Sequence, residues 1–291
     1  MATIAFLGLG NMGGPMATNL VGAGHTVRGF DPVPAAQEAA SSAGIAVAST
    51  AAEAVEGAEV VITMLPNGSI VSATYEEVLP AAPAGALFID SSTISVEDAR
   101  LTGAQVREAG MKHVDAPVSG GVKGAVGGAL AFMVGGGAEE FAAAEPILEP
   151  MAKKVIHCGD TGAGQAAKVC NNMVLAVQQI AVGEAFVLAE KLGLSDQALY
   201  DVVTGATGNC WALEVNCPVP GPAPGSPANN EFKPGFATGL MNKDLGLAMD
   251  AVDSTGVTAP MGSAAAAMYG EFSQENGDKD FSAIITKLRG E

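Results

Sequence analysis

The chain has 291 residues, 48% of them hydrophobic and 5% aromatic, and its formal net charge is −17. This length allows two domains, and the apolar fraction allows a large buried core. A surface with this much negative charge repels phosphate backbones and anionic lipids. We therefore expect neither nucleic acid nor a membrane surface as a partner. The N-terminus has neither a signal-peptide nor a transit-peptide pattern, which favours a cytoplasmic location.

Residues that commonly bind metals are few and scattered. No pair of cysteines has the C-x-x-C spacing, and the three histidines lie far apart in sequence: Cys158, Cys170, Cys210 and Cys217; His25, His113 and His157. We therefore expect no metal site, and cysteines that stay reduced, as is usual in the cytosol.

The first half of the chain alternates short apolar runs with helical segments. Strands are predicted at residues 3–7, 26–30, 60–64, 87–89 and 112–114, with helices at 11–23 and in the Ala-rich stretch that ends at residue 43. Most of these strands end in polar turns, such as Asp31-Pro32 and Asp90-Ser91-Ser92. This order predicts a parallel sheet covered by helices on both faces, with ligands bound beyond the carboxyl ends of the strands.

The second half reads as helical. One long helix is predicted at residues 165–192, and further helices near 195–204, 238–253, 259–275 and 282–289. Residues 217–235 are rich in Pro and Gly, and predict an ordered loop. The apolar segment 173–188 is interrupted by Gln178, Gln179 and Glu184, which favours a buried helix over a membrane span.

A glycine-rich turn follows the first strand. Its sequence satisfies G-x-G-x-x-G, opens a helix, and precedes an acidic residue at the end of the next strand: Gly8, Leu9, Gly10, Asn11, Met12 and Gly13. This combination is the fingerprint of a Rossmann-type dinucleotide site, with the pyrophosphate at the helix N-terminus. We therefore predict an α/β Rossmann-type domain at residues 1–162, and an all-α domain at 163–291 entered by the long helix.

Asp31 ends the second strand, eighteen residues after Gly13. Its carboxylate can accept hydrogen bonds from the adenosine ribose and would repel a 2′-phosphate. The following residues, Pro32-Val33-Pro34, offer no cation for such a phosphate, and Arg28 lies earlier, within the strand. The predicted cofactor is therefore NAD.

Three further segments carry a family resemblance over nearly the whole chain. Residues 115–121 (DAPVSGG), 162–172 (GAGQAAKVCNN) and 243–248 (KDLGLA) resemble the substrate loop, the catalytic-lysine helix and the second lysine segment of the β-hydroxyacid dehydrogenases. The resemblance implies an NAD-dependent enzyme that oxidises a short β-hydroxy acid. It also implies a homodimer or homotetramer.

The resemblance implies that Lys168 exchanges the substrate's hydroxyl proton. Asn172 lies four residues later, on the same helix face, where it would orient the hydroxyl or the lysine. Alcohol oxidation needs such a base because the hydroxyl proton must leave as the hydride is transferred. A lysine buried away from water can be neutral and so serve as the base.

The remaining site residues also rest on the resemblance. Ser119, Gly120 and Gly121 supply a hydroxyl and backbone N–H groups suited to a substrate carboxylate. Other residues are expected around the cofactor or as walls of the substrate pocket: Leu65, Pro66, Thr93 and Lys243 for the cofactor; Lys243, Trp211 and Phe236 for the substrate.

The Pro/Gly loop narrows the expected substrate. Residues 218–221 (PVPG) and 226–230 (SPANN) resemble the branch that oxidises 3-hydroxyisobutyrate to methylmalonate semialdehyde in valine breakdown, although Cys217 replaces that branch's usual Asn. Two alternatives stay open. One is tartronate semialdehyde reductase, or another short β-hydroxy acid dehydrogenase; the other is a dinucleotide-binding module without catalysis.

Overall fold

The computed structural model describes all 291 residues, which form two compact units, Met1–Lys168 and Val169–Glu291. The division between them falls inside the long helix, whereas the sequence analysis places the domain boundary at residues 162 and 163, just before that helix.

The first unit contains one nine-stranded sheet. The strand order is β3-β2-β1-β4-β5-β6-β8-β7, and β9 pairs with β8. The strands are β1 (Thr3–Leu7), β2 (Thr26–Phe30), β3 (Ala46–Val47), β4 (Val60–Thr63), β5 (Leu87–Asp90), β6 (Lys112–Asp115), β7 (Val118–Ser119), β8 (Leu130–Gly135) and β9 (Ala152–Gly159). The five strands predicted from sequence are all present, with ends that differ by at most one residue.

Helices connect these strands. They are α1 (Gly13–Gly22), α2 (Pro34–Ser42), α3 (Ala51–Val55), α4 (Gly68–Val78), α5 (Val96–Glu108), α6 (Gly121–Val126) and α7 (Ala138–Leu148). Strands β1 to β6 pair in parallel, as predicted. The sheet is not parallel throughout, however, because at the edge that contains β7 the strand β8 runs antiparallel to both β6 and β7. The short connection through β7 and α6 reverses the chain direction there.

Both faces of the sheet are buried, which explains why its strands are apolar at successive positions. In β1, Ile4 and Phe6 pack into one core cluster, while Ala5 and Leu7 pack into the cluster on the opposite face. This alternation follows from the two-residue repeat of a strand. In β4 and β5 the polar side chain, Thr63 or Asp90, is the last residue of the strand.

The second unit is helical, as predicted. Helix α8 (Ala163–Lys191) begins in the first unit and continues into the second, and it is followed by α9 (Asp196–Thr204), α10 (Trp211–Glu214), α11 (Thr238–Thr255), α12 (Pro260–Asn276) and α13 (Ile284–Arg289). The Pro/Gly stretch 217–235 is a loop apart from a short 3₁₀ turn at Pro227–Asn230.

Helix α8 is less buried than the sequence analysis predicts. Only 39% of its most apolar 18-residue window, which has a mean hydropathy of 1.5, is buried. Val174 and Leu188 are 51% and 60% exposed. By length and composition this helix could cross a membrane, but core helices of soluble proteins pass the same test, so one such helix is weak evidence.

Candidate active site

The glycine turn between β1 and α1 is built for close packing. Gly8 has φ +96°, and a Cβ there would lie 2.3 Å from the Met64 carbonyl oxygen; a Cβ on Gly13 would lie 1.9 Å from the Gly8 carbonyl oxygen. Only glycine avoids both the positive φ penalty and these overlaps. The two residues therefore hold the start of α1 against the ends of β1 and β4.

Gly10, unlike Gly8 and Gly13, lies beside open space. No atom lies within 4 Å of the position that its Cβ would occupy. Helix α1 starts three residues later, and its N-cap, Met12, makes no side-chain capping bond. The first N–H groups of a helix lack partners within the helix and favour a bound phosphate. The Gly14 N–H already donates to the Gly10 carbonyl oxygen (2.9 Å), and Pro15 has no N–H. The open space therefore lies beside the Gly13 N–H and the turn before it, and it fits the pyrophosphate of a dinucleotide.

This contrast predicts different outcomes for two alanine substitutions. Gly10→Ala should weaken NAD binding by about tenfold or more without lowering the unfolding temperature, because the new methyl group meets only the cofactor. Gly13→Ala should lower the unfolding temperature, because its Cβ overlaps the Gly8 carbonyl group. Calorimetric NAD titration and thermal unfolding measure the two effects. Equal destabilisation by both variants would contradict this assignment.

Asp31 lies at the end of β2, beside the glycine turn. Its side chain is 7% exposed, and its carboxylate accepts hydrogen bonds from the backbone N–H groups of Leu9 (2.7 Å) and Val33 (2.8 Å). These bonds fix the carboxylate beside the turn that precedes α1. The structure thus brings together the predicted glycine and acidic parts of the dinucleotide site.

A buried polar network joins the turns after β4 and β5, which contain the predicted cofactor residues Leu65, Pro66 and Thr93. The Ser92 hydroxyl accepts from the Leu65 N–H (2.9 Å), and Asp90 accepts from the Ser92 N–H (3.0 Å) and the Thr63 hydroxyl (2.8 Å). Burial raises the pKa of Asp90 to about 6, although the bonds from Ser92 and Thr63 oppose this rise.

The sequence analysis assigns no role to Asp90, Ser92 or Thr63. Their position at or just after the end of a buried strand was the sequence feature that could have indicated such a role. Their hydrogen bonds tie one cofactor turn to the other, so these residues act by positioning the turns.

Asp115 and Gln165 hold the first turn of α8 against the sheet. Asp115 accepts from the N–H groups of Gly162 (2.6 Å) and Gln165 (3.0 Å). The Gln165 side chain donates to the Ser92 carbonyl oxygen (2.7 Å) and accepts from the Ile94 N–H (3.3 Å). Burial raises the pKa of Asp115, and the backbone bonds from Gly162 and Gln165 oppose the rise. Both residues lie within the family motifs, but the sequence alone showed no role for them.

Lys168 lies one turn further along α8, where its side chain is buried. The residue is 7% exposed, and its Nζ donates to the Val118 carbonyl oxygen at 2.9 Å. Val118 immediately precedes the predicted carboxylate loop Ser119–Gly121. Gly120 and Gly121 have φ values of +134° and +60°, and Ser119 is half-buried. The structure therefore brings the predicted proton-transfer residue to the start of the predicted carboxylate loop.

The second unit contains the other predicted site residues. Asn172 is buried, and its Nδ2 donates to Asp244 Oδ2 at 2.5 Å. Lys243 Nζ lies 4.0 Å from Asp244 Oδ1, and the Lys243 side chain is 34% exposed. Asp244 lies in the family motif 243–248, but no role was predicted for it from sequence. It accepts a hydrogen bond from Asn172 and forms an ion pair with Lys243.

The predicted pocket walls differ in their surroundings. The ring of Phe236 packs edge-on against Phe281, with 5.7 Å between ring centroids, whereas Trp211 begins α10 and is 49% exposed. The N–H group of Phe236 donates to Asp280 at 3.1 Å. No group of three or more His, Cys, Asp or Glu side chains is arranged to hold a metal ion, and all four cysteines are free.

Comparison with known proteins gives consistent matches. A family model described as the NAD-binding domain of 6-phosphogluconate dehydrogenase matches residues 3–159, and one described as NAD-binding of NADP-dependent 3-hydroxyisobutyrate dehydrogenase matches residues 162–288. The chain is 67% identical to the probable 3-hydroxyisobutyrate dehydrogenase of Mycobacterium tuberculosis over 289 residues, which cover 99% of the chain and 98% of that relative.

Two further relatives bear on the substrate. The chain is 43% identical over 292 residues to the NAD-dependent L-serine dehydrogenase of Pseudomonas aeruginosa, covering 99% of the chain and 98% of the relative. A solved structure of the Mycobacterium tuberculosis 3-hydroxyisobutyrate dehydrogenase with L-serine has a TM-score of 0.97, at 67% identity and 99% coverage of both chains. The similarity therefore extends over both units of the chain.

Proposed function

Because the chain belongs to the β-hydroxyacid dehydrogenase family and is a dehydrogenase with an NAD(P) cofactor, we propose that it oxidises 3-hydroxyisobutyrate to methylmalonate semialdehyde, a step of valine breakdown. One observation carries the proposal: the buried Lys168 contacts the backbone at the start of the Ser119–Gly121 loop. A group able to exchange protons thus lies next to donors suited to a carboxylate, and 3-hydroxyisobutyrate has a hydroxyl and a carboxylate.

The oxidation breaks a C–H bond and the O–H bond of the substrate's primary alcohol. NAD, when bound, supplies the acceptor for the hydride. The neutral amine of Lys168 takes the hydroxyl proton as the carbonyl forms, and in the reverse direction the protonated amine returns it. Asn172, one helical turn later on α8, orients the substrate hydroxyl, and Asp244 fixes the Asn172 amide through a buried hydrogen bond.

The substrate carboxylate binds the Ser119 hydroxyl and the backbone N–H groups of Gly120 and Gly121. Gly120 and Gly121 both have positive φ, so the chain turns sharply here, and successive backbone N–H groups in a turn can form a concave site for an anion. The hydroxyl of a β-hydroxy acid lies one carbon further from the carboxylate than in a lactate-type substrate. The carboxylate donors must then lie further from Lys168 than in a lactate-type enzyme, and in this chain different segments supply the two groups.

The other predicted site residues keep their proposed roles. Leu65, Pro66 and Thr93 lie in the turns joined by Ser92, and they line the cofactor. Lys243, paired with Asp244, serves the nicotinamide and substrate end. Phe236 and Trp211 form walls of the substrate pocket.

Two features of the first unit favour NAD over NADP. Asp31 is fixed by the turn that precedes α1, where its charge would repel a 2′-phosphate. Arg28 is engaged elsewhere, because its guanidinium donates to the carbonyl oxygens of Glu53 (2.8 Å) and Glu56 (3.1 Å) at the end of α3. Arg28, the Lys or Arg residue nearest to Asp31 in sequence, is thus held at α3 by these two bonds.

Asp31→Ser should shift cofactor preference toward NADP. We expect the ratio of kcat/KM with NAD to kcat/KM with NADP to fall by about tenfold or more, since the substitution removes both the ribose acceptor and the repulsion. Glu38→Ser, which removes one exposed negative charge from α2, should leave the ratio unchanged. A similar shift in both variants would assign the effect to net charge instead of to the Asp31 position.

L-Serine is a second candidate substrate. It is also a 3-hydroxy acid, and the observations that favour it are the 43% identical L-serine dehydrogenase and the 67% identical structure with L-serine. The same residues would perform the same proton transfer. Discrimination between the two substrates must then come from groups that contact the methyl or ammonium substituent at C2.

The deciding experiment measures kcat/KM for 3-hydroxyisobutyrate, L-serine and glycerate, each with NAD and NADP. The proposal expects the highest value for 3-hydroxyisobutyrate with NAD. A preference for serine supports the second candidate, and a preference for glycerate supports tartronate semialdehyde reductase. No NADH formation with any of them, by a protein that still binds NAD, indicates a module without catalysis.

We also propose a homodimer or homotetramer in the cytoplasm. The second unit carries exposed apolar side chains on three helices: Val174 and Leu188 on α8, Leu240 on α11, and Met261 on α12. Association would remove such side chains from water. Light scattering coupled to size-exclusion chromatography measures the mass, and a monomer at micromolar concentration would contradict the proposal.

A further inference from the structure

A cavity of about 410 Å³ lies in the first unit, over β6 and between α5 and α7. The side chains that line it are Arg100, Arg107, His113, Glu140, Asp160 and Thr161. None of these residues belongs to the cofactor turn, the carboxylate loop or the proposed proton-transfer machinery. The cavity therefore needs a separate explanation.

His113 is the most unusual group in this cavity. It is 1% exposed, and neither Nδ1 nor Nε2 has a hydrogen-bond partner. Burial, aided by the Arg107 charge, lowers the pKa of His113 to about 3, so the ring is neutral and offers one donor and one acceptor. A buried polar group without partners costs free energy unless a ligand or water satisfies it.

Polar groups from three elements meet beside this ring. A Cβ placed on Gly103 of α5 would lie 2.8 Å from Thr161 Cγ2, 2.9 Å from His113 Nδ1 and 3.3 Å from Arg107 Nη1. Arg107 Nη1 donates to the Thr161 hydroxyl at 2.9 Å. The absence of a side chain on Gly103 thus lets the guanidinium, the hydroxyl and the imidazole converge.

The two arginines are not neutralised by the protein. The salt bridges of the chain involve other residues, so no carboxylate oxygen lies within 4.0 Å of the guanidinium nitrogens of Arg100 or Arg107. The chain has only 14 Lys and Arg residues against 31 Asp and Glu. Both arginines are exposed and share the cavity with Glu140 and Asp160; their guanidinium groups are held in no ion pair and can donate to an anionic ligand.

The start of α7 adds a third positive element. Its N-cap, Gly137, has no side chain to cap the first N–H groups of this 11-residue helix. Glu140 folds back so that its Oε2 would lie 2.3 Å from a Cβ on Gly137. This carboxylate holds the position that an anion would take at the positive end of the helix.

We propose that this cavity binds a phosphate-class oxyanion, either free phosphate or the terminal phosphate of a small metabolite. Arg100 and Arg107 donate to its oxygens, and the Arg107–Thr161 bond fixes one guanidinium. His113, whose ring nitrogens are enclosed by protein, lies beside the Arg107–Thr161 pair, and its surroundings change when these groups engage the anion. Glu140 competes with the ligand for the N-terminus of α7. The site does not depend on which hydroxy acid the enzyme oxidises.

The test uses the full chain saturated with NAD, so that the pyrophosphate position at α1 is already filled. Inorganic phosphate is titrated against chloride at constant ionic strength, and the His113 ring nitrogens, assigned with His113→Asn, are followed by ¹⁵N NMR. A saturable shift of the His113 signals is expected, with a Kd on the order of 1 mM by calorimetry. Absence of such a shift would overturn the proposal.

Variants separate this site from general charge effects. Arg107→Gln and Arg100→Gln should each weaken phosphate binding by about tenfold or more, whereas Lys153→Gln, which removes an exposed lysine of β9, should not. Glu140→Gln should tighten binding because the competing carboxylate is gone. Equal weakening by Lys153→Gln, or weaker binding in Glu140→Gln, contradicts the assignment. A parallel titration with glycerol 3-phosphate identifies the source: tighter binding favours a metabolite, and equal affinity favours free phosphate.

Discussion

Lys168→Ala is expected to lower kcat by about 10²- to 10⁴-fold, the contribution typical of a positioned general acid or base. The calorimetric affinity for NAD should stay unchanged, because Lys168 Nζ donates to the Val118 carbonyl oxygen and not to the glycine turn. Steady-state kinetics with the preferred hydroxy acid measures the loss. Near-normal turnover would remove Lys168 from the proposed mechanism.

Two further variants make this test specific. Lys168→Arg keeps the positive charge but places a guanidinium that stays protonated at working pH, so it should be as inactive as the alanine variant. Lys191→Ala removes the exposed lysine at the end of the same helix and should retain full turnover. If Lys168→Arg kept high activity, the residue would act through its charge and not as a proton acceptor.

Asp280→Ala is expected to destabilise the second unit by about 3 kcal/mol or more, because leaving even one buried donor without its acceptor costs about 1–3 kcal/mol. Asp280 is fully buried and accepts five hydrogen bonds, from Asn216 Nδ2, the Gly235 and Phe236 N–H groups, and the Ser282 N–H and hydroxyl. Its removal leaves all five donors without this acceptor in a dry environment. Urea unfolding followed by fluorescence of the single tryptophan, Trp211, reports on this unit.

Asp278→Ala provides the matched control, because it removes an exposed aspartate two residues earlier. Its unfolding midpoint should equal that of the parent chain. Asp280 also fixes the backbone of Phe236, a proposed pocket wall, so the Asp280 variant should raise KM where it remains folded. An unchanged unfolding midpoint for Asp280→Ala would show that the five donors find other partners.

Five of the nine strands of the first unit and the longer helices of the second were predicted because their signals are local. Runs such as residues 3–7 are apolar throughout and end in glycine or polar turns, so their limits lie in the sequence itself. The antiparallel strand β8 was not predicted, because strand direction depends on the path of the chain through β7 and α6. The partial burial of α8 was also missed, since composition does not report which face is covered.

For the site residues too, a role was predicted only where a motif or the family resemblance indicated one. The glycine turn and Asp31 were predicted as site residues from a motif with a defined spacing, and the Lys168 segment was predicted from the family resemblance. Asp90 and Asp280 were not assigned roles, because a single buried acid has no sequence pattern and some of its partners are distant in sequence; Gln165 lay within a family motif but was likewise given no role. Asp115 and Asp244 lay within the motifs, yet only their hydrogen bonds show what each residue holds.

The hydrogen bonds of Asp115 and Gln165 also have a consequence for the order of folding. They join residues that are 47 to 73 positions apart, so we expect the first turn of α8 to gain these partners only after β5 and β6 have formed. Contacts that close such long loops form late, because the chain loses conformational entropy before the contacts stabilise it. Substitutions at Asp115 or Gln165 should therefore accelerate unfolding more than they slow folding. The segment that positions Lys168 is then among the last parts of the first unit to become ordered.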